Sequence, residues 1–377
     1  MLNKIIFEHY KAFAGHEELE LRPITLIVGK NSSGKSSVLK LLPMLSNMVS
    51  GNIKYPLLLN NNGIINSTTY EDLSFRRENT GLRLGVQYED GLTILDNYLF
   101  HDGLLDSYLY EVFYGGKHIT NQFGDSDTEQ FGLINPSILS EIGIDPQSLS
   151  FECNYIGPFR ILAPHNVVFR GFDDSIKIGY DGAEAYQLLL NSYRTDKVLF
   201  NQVSQWMEAN LEGQSLDFSH VNNNYGTYTL TVKHNDYLSS VTEVGQGVAQ
   251  VLPIITQSFV AKPGSINIME QPALHLHPAA HSKVAYRLGE SAKEKGCKYV
   301  IESHSENILL GFRHLVVNPE IDFTPDDVII YFVDSDEDGA SLSRITIDDR
   351  GELSDWPSGV FGESFDLLRQ IMQMRTR

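Results

Sequence analysis

Cysteine is nearly absent: Cys153 and Cys297 are the only two in 377 residues, and they lack paired spacing. That excludes a disulfide framework and a four-cysteine zinc centre, and it suits a reducing compartment. Positive charge is scarce as well, with 29 Lys and Arg against 48 Asp and Glu, a formal charge of −19. Such a surface does not coat DNA as a whole, although a local basic groove stays open, and it is unsuited to an anionic membrane. No stretch approaches the roughly 18 apolar residues of a membrane helix. The N-terminal MLNKIIFEHYKAFAGHEELEL breaks its apolar residues with charges and has no signal-peptide core. A cytoplasmic location is therefore expected. Sustained heptads, internal repeats and low-complexity tracts are also missing, which excludes a coiled coil or a solenoid. What remains, at 42% apolar and 20% charged residues, is a globular chain able to bury a substantial core.

Residues 24–28 (ITLIV) form a short apolar run, as expected of a strand buried on both faces. VLKLLPML then keeps helical spacing until Pro43, where a break is expected. Residues 50–70 read as loop. From Leu82 to about Ile119, aromatic β-rich runs divided by Asp-Gly and Gly-Gly predict antiparallel hairpins. Residues 120–150 predict a polar surface excursion, residues 183–211 a helical segment, and YGTYTLTVKHNDYLSSV a further hairpin. An α/β series follows: a helix from Gln246, a strand INIM, a helix from Pro278, a strand KYVI, a helix from Ser305 and a strand VIIYFV. The expected fold is α/β, with a mixed-sheet core, an inserted antiparallel β region and a helical lobe, in one head. Residues 1–50 and 245–320 would form the nucleotide-binding core, 70–244 the insertion, and 321–377 a C-terminal β/α extension.

Between the first strand and its helix stands Gly29-Lys30-Asn31-Ser32-Ser33-Gly34-Lys35-Ser36-Ser37, which satisfies G-x-x-x-x-G-K-[ST] in full. The glycines let backbone N–H groups close round phosphates, Lys35 reaches the β and γ oxygens, and the Ser36 hydroxyl ligates Mg²⁺. The helix after it directs its positive end at the same anions. No Asn-Lys-x-Asp run marks guanine specificity, so ATP is favoured over GTP. The INIM strand ends in Glu270, an acid placed to orient a metal's water shell. The KYVI strand leads to Ser303-His304-Ser305, and Gly245-Gln246-Gly247 opens an apolar helix whose start can bind an anion.

In this order, the phosphate loop, long insertion, glycine-flanked helix start, acidic strand tip and histidine strand resemble the ABC-class ATPase heads of the SMC and OLD type. E270-Q-P-A-L-H-L-H277 has the frame of their D-E-P-x-x-x-L-D stretch. The resemblance is closest to bacterial stand-alone SMC-like ATPases found near defence genes. Those share Y-I-G-P-x-R (Tyr155–Arg160), V-G-x-G-x-x-Q-V-L-P (Val244–Pro253), E-[EQ]-P-x-x-H-L-H-P and D-W-P-x-G (Asp355–Gly359). It implies that Glu270 and Ser36 hold Mg²⁺, that Gln271 stands at the catalytic-glutamate position, and that His304 is the switch histidine. It further implies that Gly245, Gln246 and Gly247 reach the γ-phosphate bound in a second copy, and that His277, also a nucleotide-site residue, sits where the dimer-contact loop carries Asp, giving an ATP-dependent homo-oligomer. Gln271 cannot act as a general base, so slow hydrolysis is expected. Ala273 stands where relatives often carry an acid. The expected use is as a sensor subunit of an antiviral defence system, partnered by an effector protein encoded nearby. A DNA-end-binding repair ATPase and an ATP-sensing scaffold without turnover remain alternatives.

Other patterns have plainer readings. His275, His277 and His281 imitate a zinc cluster, but on a loop-to-helix turn structural roles are favoured. Asp334, Asp336 and Asp338 open like a calcium loop, yet Ile345 fills the twelfth position, so a hairpin turn is expected. Arg160 and His165 suggest a wall between lobes, with contact to nucleotide or a neighbouring subunit as the alternative. Phe13 and Lys11 are candidates for adenine and phosphate contacts, with core packing and a solvated lysine as equal alternatives.

Overall fold

The computed structural model describes residues 1–51, 57–61, 63–101, 103–122, 130, 132–173, 176–222, 226–355 and 374. Trp356–Gly359 of the D-W-P-x-G motif lie outside the described residues. In chain order the elements are β1 (Leu2–Glu8), β2 (Glu17–Glu20), β3 (Ile24–Gly29), α1 (Lys35–Met48), β4 (Asn60–Asn61) and β5 (Ile64–Ile65). Next come β6 (Leu82–Tyr88), β7 (Thr93–His101), β8 (Leu104–Tyr114), β9 (Lys117–Gln122), α2 (Pro136–Glu141), β10 (Cys153–Ile156) and β11 (Val167–Val168). They are followed by α3 (Ala185–Arg194), α4 (Val198–Asn210), β12 (Ser215–Asn222), β13 (Thr227–His234), β14 (Tyr237–Ser240) and α5 (Gln246–Val260). The rest are β15 (Ile266–Glu270), α6 (Pro278–Lys295), β16 (Lys298–Glu302), α7 (Glu306–Val317), β17 (Val328–Asp336) and β18 (Gly339–Ile345).

The apolar run of β3 has a parallel neighbour on each edge, β16 and β17. The central sheet runs β10-β15-β16-β3-β17-β18, with only β18 antiparallel to its neighbour. Every residue of β3, β15 and β16 is buried, as a sheet covered on both faces requires. Alternation along β3 divides the interior. Ile24, Leu26 and Val28 join a core with α5, α6 and α7, whereas Ile27 joins a second core with α1. The sheet takes strands from all three expected segments, since β10 comes from within 70–244 and β17–β18 from beyond 321.

A second, wholly antiparallel sheet, β2-β1-β6-β7-β8-β9, covers α1 and shares its core. A third, β11-β13-β12 with β14 on β13, packs with α3 and α4. This is the expected mixed α/β head with an inserted β region. The longest helix among the described residues is the 18-residue α6, so no coiled-coil arm leaves them. No helix among them is long and apolar enough to cross a membrane.

Local expectations needed revision at several points. Pro43 does not break α1, which runs on to Met48 with the prolyl ring buried. Pro253 likewise sits inside α5, and the Tyr186 hydroxyl donates to the Ala249 carbonyl that the prolyl nitrogen cannot serve. Residues 50–70, expected as loop, contain the short β4–β5 pair. Residues 132–149 are no surface excursion. Leu133, Ile134, Leu139 and Leu149 are buried, Asn135 caps α2, and the Tyr110 and Tyr88 hydroxyls donate to the Leu133 and Leu149 carbonyls. The helical stretch of 183–211 is two helices, parted where Lys197 turns left-handed (φ 58°) and the Asp196 carboxylate caps the Val198 N–H.

Candidate functional site

The parallel strands end together, and the register sets Glu270 beside Glu302 and Glu302 beside Ile27 of the phosphate-loop strand. Ligands of open parallel sheets bind beyond such carboxyl ends. Gly29 is there because nothing else fits: at φ 149° its Cβ would lie 2.3 Å from the Val333 carbonyl oxygen of β17. Gly34, at φ 107°, rests on the ring of Phe13. Phe13 itself is fully buried and meets Phe7 edge-on at 5.1 Å, so it supports the loop from below and is no neighbour of a base.

The start of α1 carries no side-chain cap after Gly34, which leaves first-turn N–H groups for an anion. They open onto a cavity of about 490 Å³ lined by Asn31, Ser32 and Gly34–Ser37 of the loop and helix start, by Lys11, and by the carboxylates Asp72 and Glu302. Lys11 donates to the Ser67 hydroxyl at 3.2 Å. Lys30 points elsewhere, 3.8 Å from Asp334. Ser33 is buried, with its hydroxyl unpaired.

Lys35 folds back on the loop and donates to the carbonyls of Gly29 (2.9 Å) and Lys30. Desolvation lowers its pKa, while Glu302, 4.0 Å away, pulls the other way. The Ser36 hydroxyl lies 3.2 Å from Glu270 and 3.1 Å from Glu302. Having one proton, it donates to one of them at a time. Burial, and then the negative Glu270 beside it, push Glu302 up to about 7. A hard cation held by these three oxygen-bearing side chains would relieve that repulsion, and the donor set suits Mg²⁺. Among the described residues no three His, Cys, Asp or Glu side chains form a metal cluster.

The Glu270 tip is braced from behind. The Tyr155 hydroxyl donates to the second Glu270 carboxylate oxygen. Arg160 is no lobe wall: nine-tenths buried, it donates to the carbonyls of Glu270, Gln271 (2.9 Å) and Gln250 (3.2 Å). Gly157 is needed because a Cβ there would lie 2.5 Å from the ring of Tyr180, which stacks on Tyr155. The Y-I-G-P-x-R run is thus a strap holding the acidic tip. His165 lies 3.4 Å from the Thr242 hydroxyl, away from this strap.

Gln271 turns left-handed at φ 48°, gives its N–H to the Glu302 carbonyl and accepts from the His304 N–H at 3.4 Å. Partial desolvation and the nearby Lys35 charge hold the His304 ring below its ordinary pKa. Gly245 and Gln246 are exposed at the uncapped start of α5, outside the cavity of their own chain. Gly247 fits against the His275 carbonyl, where a Cβ would come to 2.6 Å. His277 caps α6, and both ring nitrogens of His281 are engaged, by Ser305 and the Leu276 carbonyl, which leaves no zinc triad. Asp334 and Asp336 close β17, and Glu337 and Asp338 make the expected hairpin turn into β18. The residue that sequence reasoning missed is Glu302. Its signal was an acid closing the apolar KYVI run, just as Glu270 closes INIM.

A phosphate loop on a parallel sheet, with Ser36 and a strand-tip acid converging, defines a P-loop ATPase. The chain belongs to the family described as "AAA domain, putative AbiEii toxin, Type IV TA system", whose model matches residues 24–310. Residues 323–371 match a second family, "Protein of unknown function (DUF3696)". No curated protein matches the chain. Among solved structures it is similar to an Smc head bound to the C-winged helix domain of ScpA, at 13% identity and TM-score 0.54 over 92% of this chain and 97% of that one. It is also similar to an Smc head with an extended coiled coil, bound to the C-terminal domain of ScpA derived from Pyrococcus furiosus. That likeness has 12% identity and TM-score 0.51, over 98% of this chain and 99% of the other. At such identities the likeness is one of fold: the chain has the fold of an SMC head.

Proposed function

We propose that the protein binds ATP with Mg²⁺ and hydrolyses it slowly between two copies of the chain. The carrying observation is that Lys35, Ser36 and Glu302 line one cavity at the uncapped start of α1, with the Glu270 carboxylate 3.2 Å from the Ser36 hydroxyl behind it. Lys35 exchanges the loop carbonyls for phosphate oxygens, and Ser36 and Glu270 would hold Mg²⁺, which would supply neutralisation of the phosphate charge. The Gly245–Gly247 helix start supports the two-copy arrangement. Its first residues, Gly245 and Gln246, are exposed, uncapped and outside the lining of their own cavity, which leaves N–H groups for a γ-phosphate bound elsewhere. ATP then bridges two bodies, and hydrolysis removes the bridge.

Gln271 favours long residence in the bound state, because an amide at that position does not deprotonate water. A sensing subunit of an antiviral system, acting on an effector protein, is the use we favour, on the strength of motifs that resemble those of defence-associated ATPases. Sizing the protein with and without ATP-Mg²⁺, alongside phosphate release, tests the proposal. ATP-dependent doubling of mass with slow release is expected. A monomer under all conditions would remove the two-copy mechanism, and doubling without release would select the scaffold reading.

A further inference from the structure

We propose that Asp72 reads the sugar of the bound nucleotide, accepting hydrogen bonds from the ribose hydroxyls and so selecting a ribonucleoside triphosphate over a bare polyphosphate. This rests on the reading that the cavity binds ATP, and it names the group that meets the organic end of the ligand.

Two carboxylates line the cavity, and they come from different layers of the fold. Glu302 ends β16 of the central sheet. Asp72 stands on a short helical turn, Glu71–Leu73, fastened to the antiparallel layer. The Lys11 N–H donates to the Leu73 carbonyl at 2.7 Å, the Phe75 N–H donates to the His9 carbonyl at 2.9 Å, and the Leu73 side chain is fully buried. Residues 9–11 link β1 to β2, so this turn is held on the wall that the antiparallel layer supplies. The phosphate-binding groups cluster on the other wall. Ser36 lies 3.1 Å and Lys35 4.0 Å from Glu302, which assigns the β and γ oxygens to the central-sheet side. The rest of a nucleotide is left the side of Lys11 and Asp72.

The chemistry of Asp72 suits a sugar and not a phosphate. The Thr69 hydroxyl, and then Arg77 at 2.7 Å, hold its carboxyl below the ordinary carboxylate pKa, so it is ionised at neutral pH. An ionised carboxylate only accepts hydrogen bonds, and a triphosphate chain has acceptors and negative charge to offer, so the two repel. Vicinal hydroxyls are donors. A carboxylate has about four lone-pair sites, which leaves capacity for them beside Thr69 and Arg77. An acid on a ribose hydroxyl is also how dinucleotide-binding sheets recognise their sugar.

Calorimetric titration in magnesium buffer compares ATP, 2′,3′-dideoxy-ATP and inorganic tripolyphosphate on wild type, Asp72→Asn and Asp72→Ala, with a melting curve for each protein. Wild type should bind ATP roughly 10–100-fold more tightly than the dideoxy analogue, the size of a hydrogen bond to a charged acceptor. Asp72→Ala should weaken ATP to the level of the dideoxy analogue and leave that analogue little changed. The same variant should tighten tripolyphosphate by roughly 2–5-fold, because a repelling charge is gone. Asp72→Asn keeps one acceptor oxygen and should fall between. Equal wild-type affinity for ATP and its dideoxy analogue would overturn the assignment without recourse to any variant. So would a parallel loss of all three ligands in both variants, which would mark Asp72 as a partner of Arg77 alone. Failure of the wild type to bind either ATP or tripolyphosphate would remove the nucleotide reading itself, and this contact with it.

Discussion

Two neighbouring strands each end in a buried carboxylate, and that crowding has a cost that depends on pH. Glu302 sits at about 7 in the folded chain against an ordinary 4.5, with burial the larger cause and Glu270 the second. Below 4.5 the group is protonated whether the chain is folded or not, and it contributes nothing. Between 4.5 and about 7 the unfolded chain releases the proton while the folded chain keeps it, so the folded state loses stability as pH rises. Above that window the penalty is complete, and a shift of this size corresponds to up to about 3 kcal/mol. Replacing Glu302 with Gln removes the carboxylate while leaving Ser36 an acceptor. The nucleotide-free variant should therefore melt several degrees above wild type at pH 8, with the gain fading at pH 5. Thermal unfolding at both pH values, in magnesium-free buffer, measures it. A variant that melts with or below wild type at pH 8 would refute the reasoning, because the carboxylates would then not be in conflict.

Arg160→Met should lower the melting temperature by on the order of 5 °C, since about 3 kcal/mol of charge-assisted bonds to three inward carbonyls is lost; calorimetry checks it. Lys35→Ala should weaken ATP binding by roughly 10–100-fold, through loss of the phosphate-facing ammonium, with little effect on folding; titration with a fluorescent analogue, beside a melting curve, separates the two. Gln271→Glu should raise the single-turnover rate of phosphate release, and an unchanged rate would detach position 271 from water activation.

The legible parts were those written contiguously. Gly29–Ser37 is a linear motif whose flanking strand and helix could be inferred from apolar spacing, and both lie where expected. Glu270 closed a visible apolar run. Glu302 closed another, but its importance depends on β16 lying between β15 and β3, and strand order is a tertiary fact. Arg160 is more than a hundred residues from the carbonyls of Glu270 and Gln271 that it serves, so nothing local announced its role. Pro43 and the segment around Leu133–Leu149 misled for one shared reason. Local polarity and propensity are weak beside a tertiary environment that buries the ring of one and the leucines of the other.

The first strand of the chain does not belong to the sheet that holds the phosphate loop. β1 lies between β2 and β6, at the heart of the antiparallel layer built largely from the insertion. Excising residues 82–122 to obtain a minimal ATPase would therefore expose an edge of β1 and uncover the side of α1 that the layer shields. The layer works as a splint for the nucleotide-holding helix, and a trimmed head should aggregate long before its chemistry could be assayed.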